Sequence, residues 1–346
     1  MQVETVVEPG ADWDAFAEAA PGAALGHAAA WARVMREAYG LRSCYLAARD
    51  PSGSLAGLLP LFRFRTLAGR RELVSMPFLD TGGVLAERPD AGKALLEAGL
   101  ERCRALGARA LELRQSVQLP ELPLAVPVPR SNLVLRLECD ADVQWKALDA
   151  KVRNQTRKAE REGLRISEGS PQELLGGFYA PFAANMRDLG SPVHAERFFR
   201  AAARHFGERL RFVVVRAGVR PVGGLVAIRY AGTVTVTWAS TLRSERRRCP
   251  NNLIYWEALR WAIAVGAHSF DFGRSTPGSG TWRFKRGWGA EDRPLAWVRL
   301  SPSGRPLPLR LADQSPLLRG LSTLWSRLPV TATRALGPSL RRFLAN

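Results

Sequence analysis

LRFVVVRAGVRPVGGLVAIRYAGTVTVTWASTLRSERRRCPNNLIYWEALRWAIAVGAHSFDFGRS (210–275) decides the fold. LRFVVVRAG (210–218) and GGLVAIRYAGTVTVTWAST (223–241) are rich in Val, Thr and Ile and punctuated by Gly, which predicts a strand meander. NNLIYWEALRWAIAVGA (251–267) sets apolar residues at 253, 254, 256, 259, 261 and 263, the spacing of a helix. SFDFGRS (269–275) then reads as a buried strand that ends in a turn.

Working outward, DVQWKALDAKVRNQTRKAEREG (142–163) predicts one helix stopped by Gly, LRIS a strand, and 171–188 and 195–206 two helices. The first half of the chain has the same order. Residues 1–50 read as strand, helix, strand, with Trp31, Val34, Met35 and Ala38 at helical spacing. SLAGLLPLFRFR (54–65) is a strand pair or one long strand, LVSMPFLDTGG (73–83) ends a strand in a Gly-Gly turn, 89–106 is a helix and ALELRQ (110–115) a strand. Pro120, Pro123, Pro127 and Pro129 mark an extended connection before the strand LVLRL (133–137). Both halves run helix, meander, helix, strand. The expected fold class is α/β (α+β), a duplicated unit with mixed, mainly antiparallel sheets and flanking helices. The expected domains are 1–130, 131–300 with LAWVRL (295–300) as its last strand, and a basic tail at 301–346. The tail holds seven Arg and one Asp, with helices expected at 315–328 and 331–344 around Pro329. It reads as a helical cap on the second domain, with contact to anionic lipid as the alternative.

The 346 residues carry 50 basic and 32 acidic side chains, a formal charge of +18. That balance points to a polyanionic partner, but only five of the basic residues are Lys, so coding bias toward Arg competes as the explanation. No run of 18 apolar residues and no basic, apolar leader is present, so a cytoplasmic protein is expected. Cys44, Cys103, Cys139 and Cys249 and the four His show no metal-ligand or disulfide spacing, so no metal is expected and buried free thiols are. Nucleophile-elbow, P-loop and dinucleotide fingerprints are absent.

Three stretches carry candidate chemistry. AKVRNQTRKAEREGLR (150–165) puts Lys151, Arg153, Asn154, Arg157 and Lys158 on neighbouring turns of a helix, an arrangement that holds phosphate, against a solvated charged face. WASTLRSERRRCPNNLIYWEALRWA (238–262) feeds a basic loop into a helix start, placing Arg246, Arg247, Arg248 and Asn251 at N–H groups that attract anions. SFDFGRSTPGSGTWRFKRGWGAEDRPL (269–295) ends a strand at Asp271 and Arg274, then sets Trp282, Phe284, Lys285 and Trp288 beyond a Gly/Ser loop, one wall of a ligand site or an Arg-rich hairpin. Lys285 stands out in a chain that otherwise writes Arg, because an ammonium is a compact charge whose pKa shifts readily.

KVRNQTRKAEREGL, FDFGRSTPGSGTWRFKRGWGA and PNNLIYWEALRWA together resemble the FemAB family, most closely its branch associated with exosortase exopolysaccharide clusters, with a BioF2-like acetyltransferase domain. PFLDTGGVL (77–85) is similar to that family's first-domain Gly-Gly element, and LWSRLPVTATRALGPSLRRFL to its C-terminal helices. The resemblance implies tandem GNAT-like domains and transfer of an acyl or aminoacyl group to an amine. It implies a place near the reacting centre for Phe284 and Lys285, and a phosphate-facing role for Lys151, Arg153, Asn154, Arg157 and Lys158. The usual glycine-bearing pyrophosphate loop of acetyltransferases and the inserted coiled-coil arm of the cell-wall enzymes are both absent from the sequence.

The expectation is therefore an N-acyltransferase acting on an amine-bearing sugar or peptide precursor of the cell envelope or an exopolysaccharide. The alternative enzyme is an acetyl-CoA-dependent N-acetyltransferase of a small amine or amino sugar. A basic nucleic-acid-binding or membrane scaffold protein is the non-enzyme alternative. No resident cofactor is expected, the donor is acyl-CoA or aminoacyl-tRNA, and the chain is expected to be a monomer, with peripheral membrane contact through the tail as the alternative to a cap. Lys285 is assigned to the developing oxyanion or the leaving oxygen, Asp271 to accepting a proton or orienting the loop, and Arg274, Arg247, Arg248, Asn251, Trp282 and Trp288 to binding.

Overall fold

The computed structural model describes residues 1–120, 130–309 and 316–345, which divide into two compact units. The first comprises Met1–Ser131, Arg293–Gln314 and Arg342–Asn346, and the second Asn132–Asp292 and Ser315–Arg341. From Glu121 onward the expected proline-rich connection lies outside the described residues.

The first unit runs β1 (Gln2–Val6), α1 (Ala11–Ala19), α2 (Ala30–Tyr39), β2 (Tyr45–Arg49), β3 (Leu55–Leu59), β4 (Phe62–Arg65), β5 (Arg71–Val74), β6 (Leu85–Ala86), α3 (Pro89–Ala105) and β7 (Leu111–Gln115). Two helices thus occupy 1–50 where one was expected. Pro60, which cannot donate to a ladder, separates β3 and β4 into different sheets. One sheet is ordered β1-β2-β3-β6.

The second unit continues with β8 (Ser131–Arg136), α4 (Ala141–Ala147), α5 (Ala150–Arg161), β9 (Leu164–Ile166), α6 (Pro171–Asp188), α7 (Glu196–Phe206), β10 (Leu210–Ala217), β11 (Arg220–Tyr230), β12 (Thr233–Thr241), α8 (Pro250–Ala264), β13 (Ser269–Ser275), α9 (Gly280–Arg286) and β14 (Glu291–Pro294). After β15 (Ala296–Leu300) come α10 (Pro316–Ser326) and α11 (Val330–Arg341). The seven-stranded sheet is ordered β14-β8-β13-β12-β11-β10-β9. It is antiparallel from β9 through β12, and β13 joins β12 in parallel. One face packs on α5 and α8 through Val152, Ala159, Leu253, Ala258 and Phe270, and α6 packs on the other. Gly177 of α6 allows that second approach, since a Cβ there would meet Val214 Cγ1 of β10 at 3.1 Å.

Three expectations need correction. The single helix at 142–163 is two. Asp149 caps α5 by accepting from the Lys151 N–H at 2.7 Å, and Arg153 donates to the Lys146 and Leu148 carbonyls at the end of α4. Next, β15 does not belong with the second domain. It pairs antiparallel with β7 in the sheet β15-β7-β5-β4, where Trp297 donates to the Asp80 carbonyl and Arg299 pairs with Glu72 at 2.8 Å. Lastly, the tail is not one segment. The α10 and α11 helices join the second unit, packing on α6, while 301–309 and 342–345 belong to the first.

Candidate functional site

Between β12 and β13 the parallel register covers three pairs, Thr233↔Ser269, Val234↔Phe270 and Thr235↔Asp271. Beyond them β12 continues to Thr241 and β13 to Ser275. On its other side β12 shifts register against β11. Val226 opposes Trp238 and Ala227 opposes Val236, which leaves Thr237 as an extra residue, a β-bulge. A bulge takes backbone groups out of the ladder and re-aims them, and bulges concentrate beside active sites. The Thr237 Oγ1 and Ser275 Oγ are both buried without a hydrogen-bond partner among the described residues. Buried hydroxyls of this kind call for a ligand or water.

The second feature is the start of α8. Cys249 precedes it with φ 57° and ψ 40°, the left-handed conformation that glycine favours. The backbone turn that a glycine-bearing loop would make is therefore present, carried by a cysteine. No side chain caps the helix, and Pro250 opens it. Arg246 and Arg247 flank this end and are exposed. Arg248 is occupied instead, donating to Glu245 at 2.8 Å and to the Glu162 carbonyl. Glu245 is buried and also pairs with Arg220. The hydrogen bond from Arg248 holds its carboxyl below the usual range, against the cost of burial. Asn251 is half-buried, and Asn252 donates to Gln155 of α5 at 3.3 Å.

That contact joins two of the basic stretches. Lys151, Asn154 and Arg157 are exposed and Lys158 half-buried on α5. Arg157 lies 5.5 Å from the Trp145 ring centroid, and Arg153 is committed to the α4 terminus, so both serve the local fold.

The third stretch gathers at the end of β13. Gly273 turns the chain with φ 73°, and its N–H donates to the Asp271 carboxylate at 2.8 Å. The Asn132 amide holds the other carboxylate oxygen at 2.9 Å. Lys285, 8% exposed, donates from Nζ to the Gly273 and Arg274 carbonyls at 2.9 and 3.0 Å. The aromatic-basic block is the short helix α9, whose start is capped by Ser279 accepting from the Trp282 N–H. Phe284 packs half-buried against Tyr255. Trp288 is 1% exposed and belongs to the core, which corrects its assignment to an open wall. Trp282 donates to Asp292 at 2.7 Å and carries Arg286 over its ring, a structural role. Arg274 is half-buried beside Lys285. The candidate residues thus form two groups, one at the start of α8 with α5 and one at the end of β13.

Sequence reasoning missed the bulge and His194. His194 is buried in a box of Phe198, Phe199 and Trp238, the residue after Thr237, with its Nε2 accepting from Arg341 of α11 at 3.0 Å. Burial first, then the Arg341 charge, pushes its pKa well below the usual value. No group of three or more His, Cys, Asp or Glu able to hold a metal occurs among the described residues. Cys44 and Cys103 are buried free thiols, but Cys139 is exposed and Cys249 half-buried, so burial holds for two of the four.

Residues 147–286, which contain the β12/β13 pair, the start of α8 and α9, match the family of the acetyltransferase (GNAT) domain. This part of the chain is GNAT-like. The fold as a whole resembles FemX at 14% identity, with a TM-score of 0.68 over 86% of this chain and 97% of that one. A tandem GNAT protein from the clavulanic acid biosynthesis pathway is similar at 13% identity and a TM-score of 0.53, covering 89% of this chain and 99% of that one. The L-PGS of Bacillus licheniformis gives 13% identity and a TM-score of 0.52, covering 93% and 98%. No curated protein matches the chain in sequence. The FemAB-like reading and the α/β fold agree with these likenesses, and the GNAT-like region lies wholly within the second unit.

Proposed function

We propose that the chain is an N-acyltransferase that passes an acyl or aminoacyl group from a phosphate-bearing donor to an amine of a cell-envelope or exopolysaccharide precursor. The observation that carries this reading is the parted parallel pair β12/β13 with its bulge at Thr237, set in a GNAT-like region. Attack of an amine on a thioester or ester carbonyl develops an oxyanion, which needs hydrogen-bond donors already in place. Backbone groups released at the bulge are the candidates for that task, with the orphan hydroxyls of Thr237 and Ser275 as further contacts for the donor. The donor's phosphates fit the uncapped start of α8, where Arg246 and Arg247 are exposed beside the left-handed Cys249 turn. Positioning carries much of the rate in such transfers, and no covalent enzyme intermediate is invoked.

In this reading Lys285 is a positioning residue. It donates to the Gly273 and Arg274 carbonyls, so it fixes the turn that follows β13. Asp271 orients the same turn through Gly273.

The test is a thermal-shift scan of the purified chain with acetyl-CoA, longer acyl-CoAs, and charged against uncharged tRNA. A donor at about 100 times its Kd adds roughly 2.7 kcal/mol. A shift with a CoA species, lost in Arg247→Ala, supports an acyl-CoA enzyme. A shift with charged tRNA alone supports aminoacyl transfer. No shift with any donor overturns the proposal.

A further inference from the structure

The two tail helices cap α6 with one side and leave another to solvent. On α10, Leu321 is 53% and Leu324 61% exposed, and they lie one turn apart on the same face. Leu189, at the end of α6, is 57% exposed, and Ser322 donates to its carbonyl at 3.4 Å, so it adjoins α10. Exposed Arg327 follows the stripe directly, in the turn after α10, its N–H donating to the Leu324 carbonyl at 3.1 Å. On α11, Leu336 is 54% exposed; Arg334 is exposed too, but it lies 4.0 Å from the Glu196 carboxylate and over the Tyr179 ring. Residues 316–345 contain five Arg and no Asp, Glu or Lys, although Arg341 is buried against His194 and Arg342 belongs to the first unit. Scattered single apolar side chains on a surface are ordinary, but a leucine stripe ending in arginine, on helices without an acid, is a different pattern.

We propose that this face of α10 docks on an anionic lipid surface, the leucines entering the headgroup boundary and Arg327 meeting lipid phosphate. Charge selects the occupant. A second copy of this chain brings another +18 to the contact, whereas an anionic bilayer brings the opposite sign. Lying on the surface is the mode that fits, because no described helix is long and apolar enough to cross a membrane. The packed side of the two tail helices supplies the rigid support. Gly190 meets Ser322 and Gly337 meets Val193 so closely that an added Cβ would lie 2.0 and 2.9 Å away. The proposal is independent of the acyl-transfer reading, since it concerns a different face and a different readout.

The experiment is co-sedimentation of the full chain with vesicles of neutral phosphatidylcholine and of phosphatidylcholine containing one-third phosphatidylglycerol. The expected result is binding to the anionic vesicles at low salt, weak binding to neutral ones, and a loss of at least tenfold in Leu321→Ser/Leu324→Ser with the melting midpoint unchanged. Arg327→Gln, an exposed site, is expected to lower anionic binding by several-fold. Undiminished binding of the double serine variant would overturn the proposal, because general surface charge would then suffice. So would absence of binding to either vesicle, or a dimer in sedimentation velocity that the double serine variant abolishes.

Discussion

Replacing Lys285 with Met keeps the apolar stem and removes the ammonium. The loss includes the two hydrogen bonds to the Gly273 and Arg274 carbonyls at 2.9 and 3.0 Å, from a residue only 8% exposed. A hydrogen bond from a charged donor contributes about 1.5–3 kcal/mol, and removing the buried charge recovers part of that. The net expected cost is about 2 kcal/mol, or roughly 4–8 °C in melting midpoint for a unit of this size. Two readouts are needed together, calorimetric midpoint and turnover with the donor found by the scan. A positioning role predicts a lower midpoint and a fall in turnover accompanied by weaker donor binding, because the turn after β13 loosens. An unchanged midpoint with turnover down by 10²–10³ would refute this reasoning and return Lys285 to the developing oxyanion.

Three further outcomes are expected. Thr237→Val and Ser275→Ala each remove a buried hydroxyl that lacks a partner. The free protein should gain up to about 1 kcal/mol per site in urea unfolding while donor affinity falls. Arg247→Ala, at an exposed side chain, should weaken donor binding about 10–100-fold by titration and leave stability within about 0.5 kcal/mol. His27 and His194 are buried and held neutral, with burial pushing the pKa of His27 down to about 4 and that of His194 well below its usual value. Their contribution is complete above the unfolded pKa near 6.5 and is lost as pH falls below it, by up to about 1.4 kcal/mol per pH unit for each group. Urea midpoints from pH 7.5 to 4.5 should drop accordingly, and His27→Gln should flatten the slope if it folds; a flat wild-type profile would contradict the burial argument.

The elements that periodicity revealed are those whose pattern is local. The meander at 210–241, the helix at 251–267 and the strand at 269–275 match β10, β11, β12, α8 and β13 to within a few residues. Pattern could not show the break at Leu148, because the amphipathic spacing runs through it and only the Asp149 cap and Arg153 contacts reveal the second helix start. Nor does the alternation in LAWVRL say which sheet it joins, since a strand's partner is a non-local choice. The bulge at Thr237 is a property of the register between β11 and β12 and has no mark in either strand alone. Cys249 hid the turn before α8 because the conformation was expected of glycine. The basic residues were visible as clusters, but which are occupied locally, as Arg153 and Arg248 are, depends on neighbours that the sequence does not place.

The most direct measurement is amide hydrogen exchange of the full chain with and without the donor that stabilises it. Donor binding at the β12/β13 pair predicts slowed exchange at 237–241 and in the first turn of α8, 251–253, with little change in β1 to β7. Protection confined to the first unit, with β12 and α8 unaffected, would contradict the account.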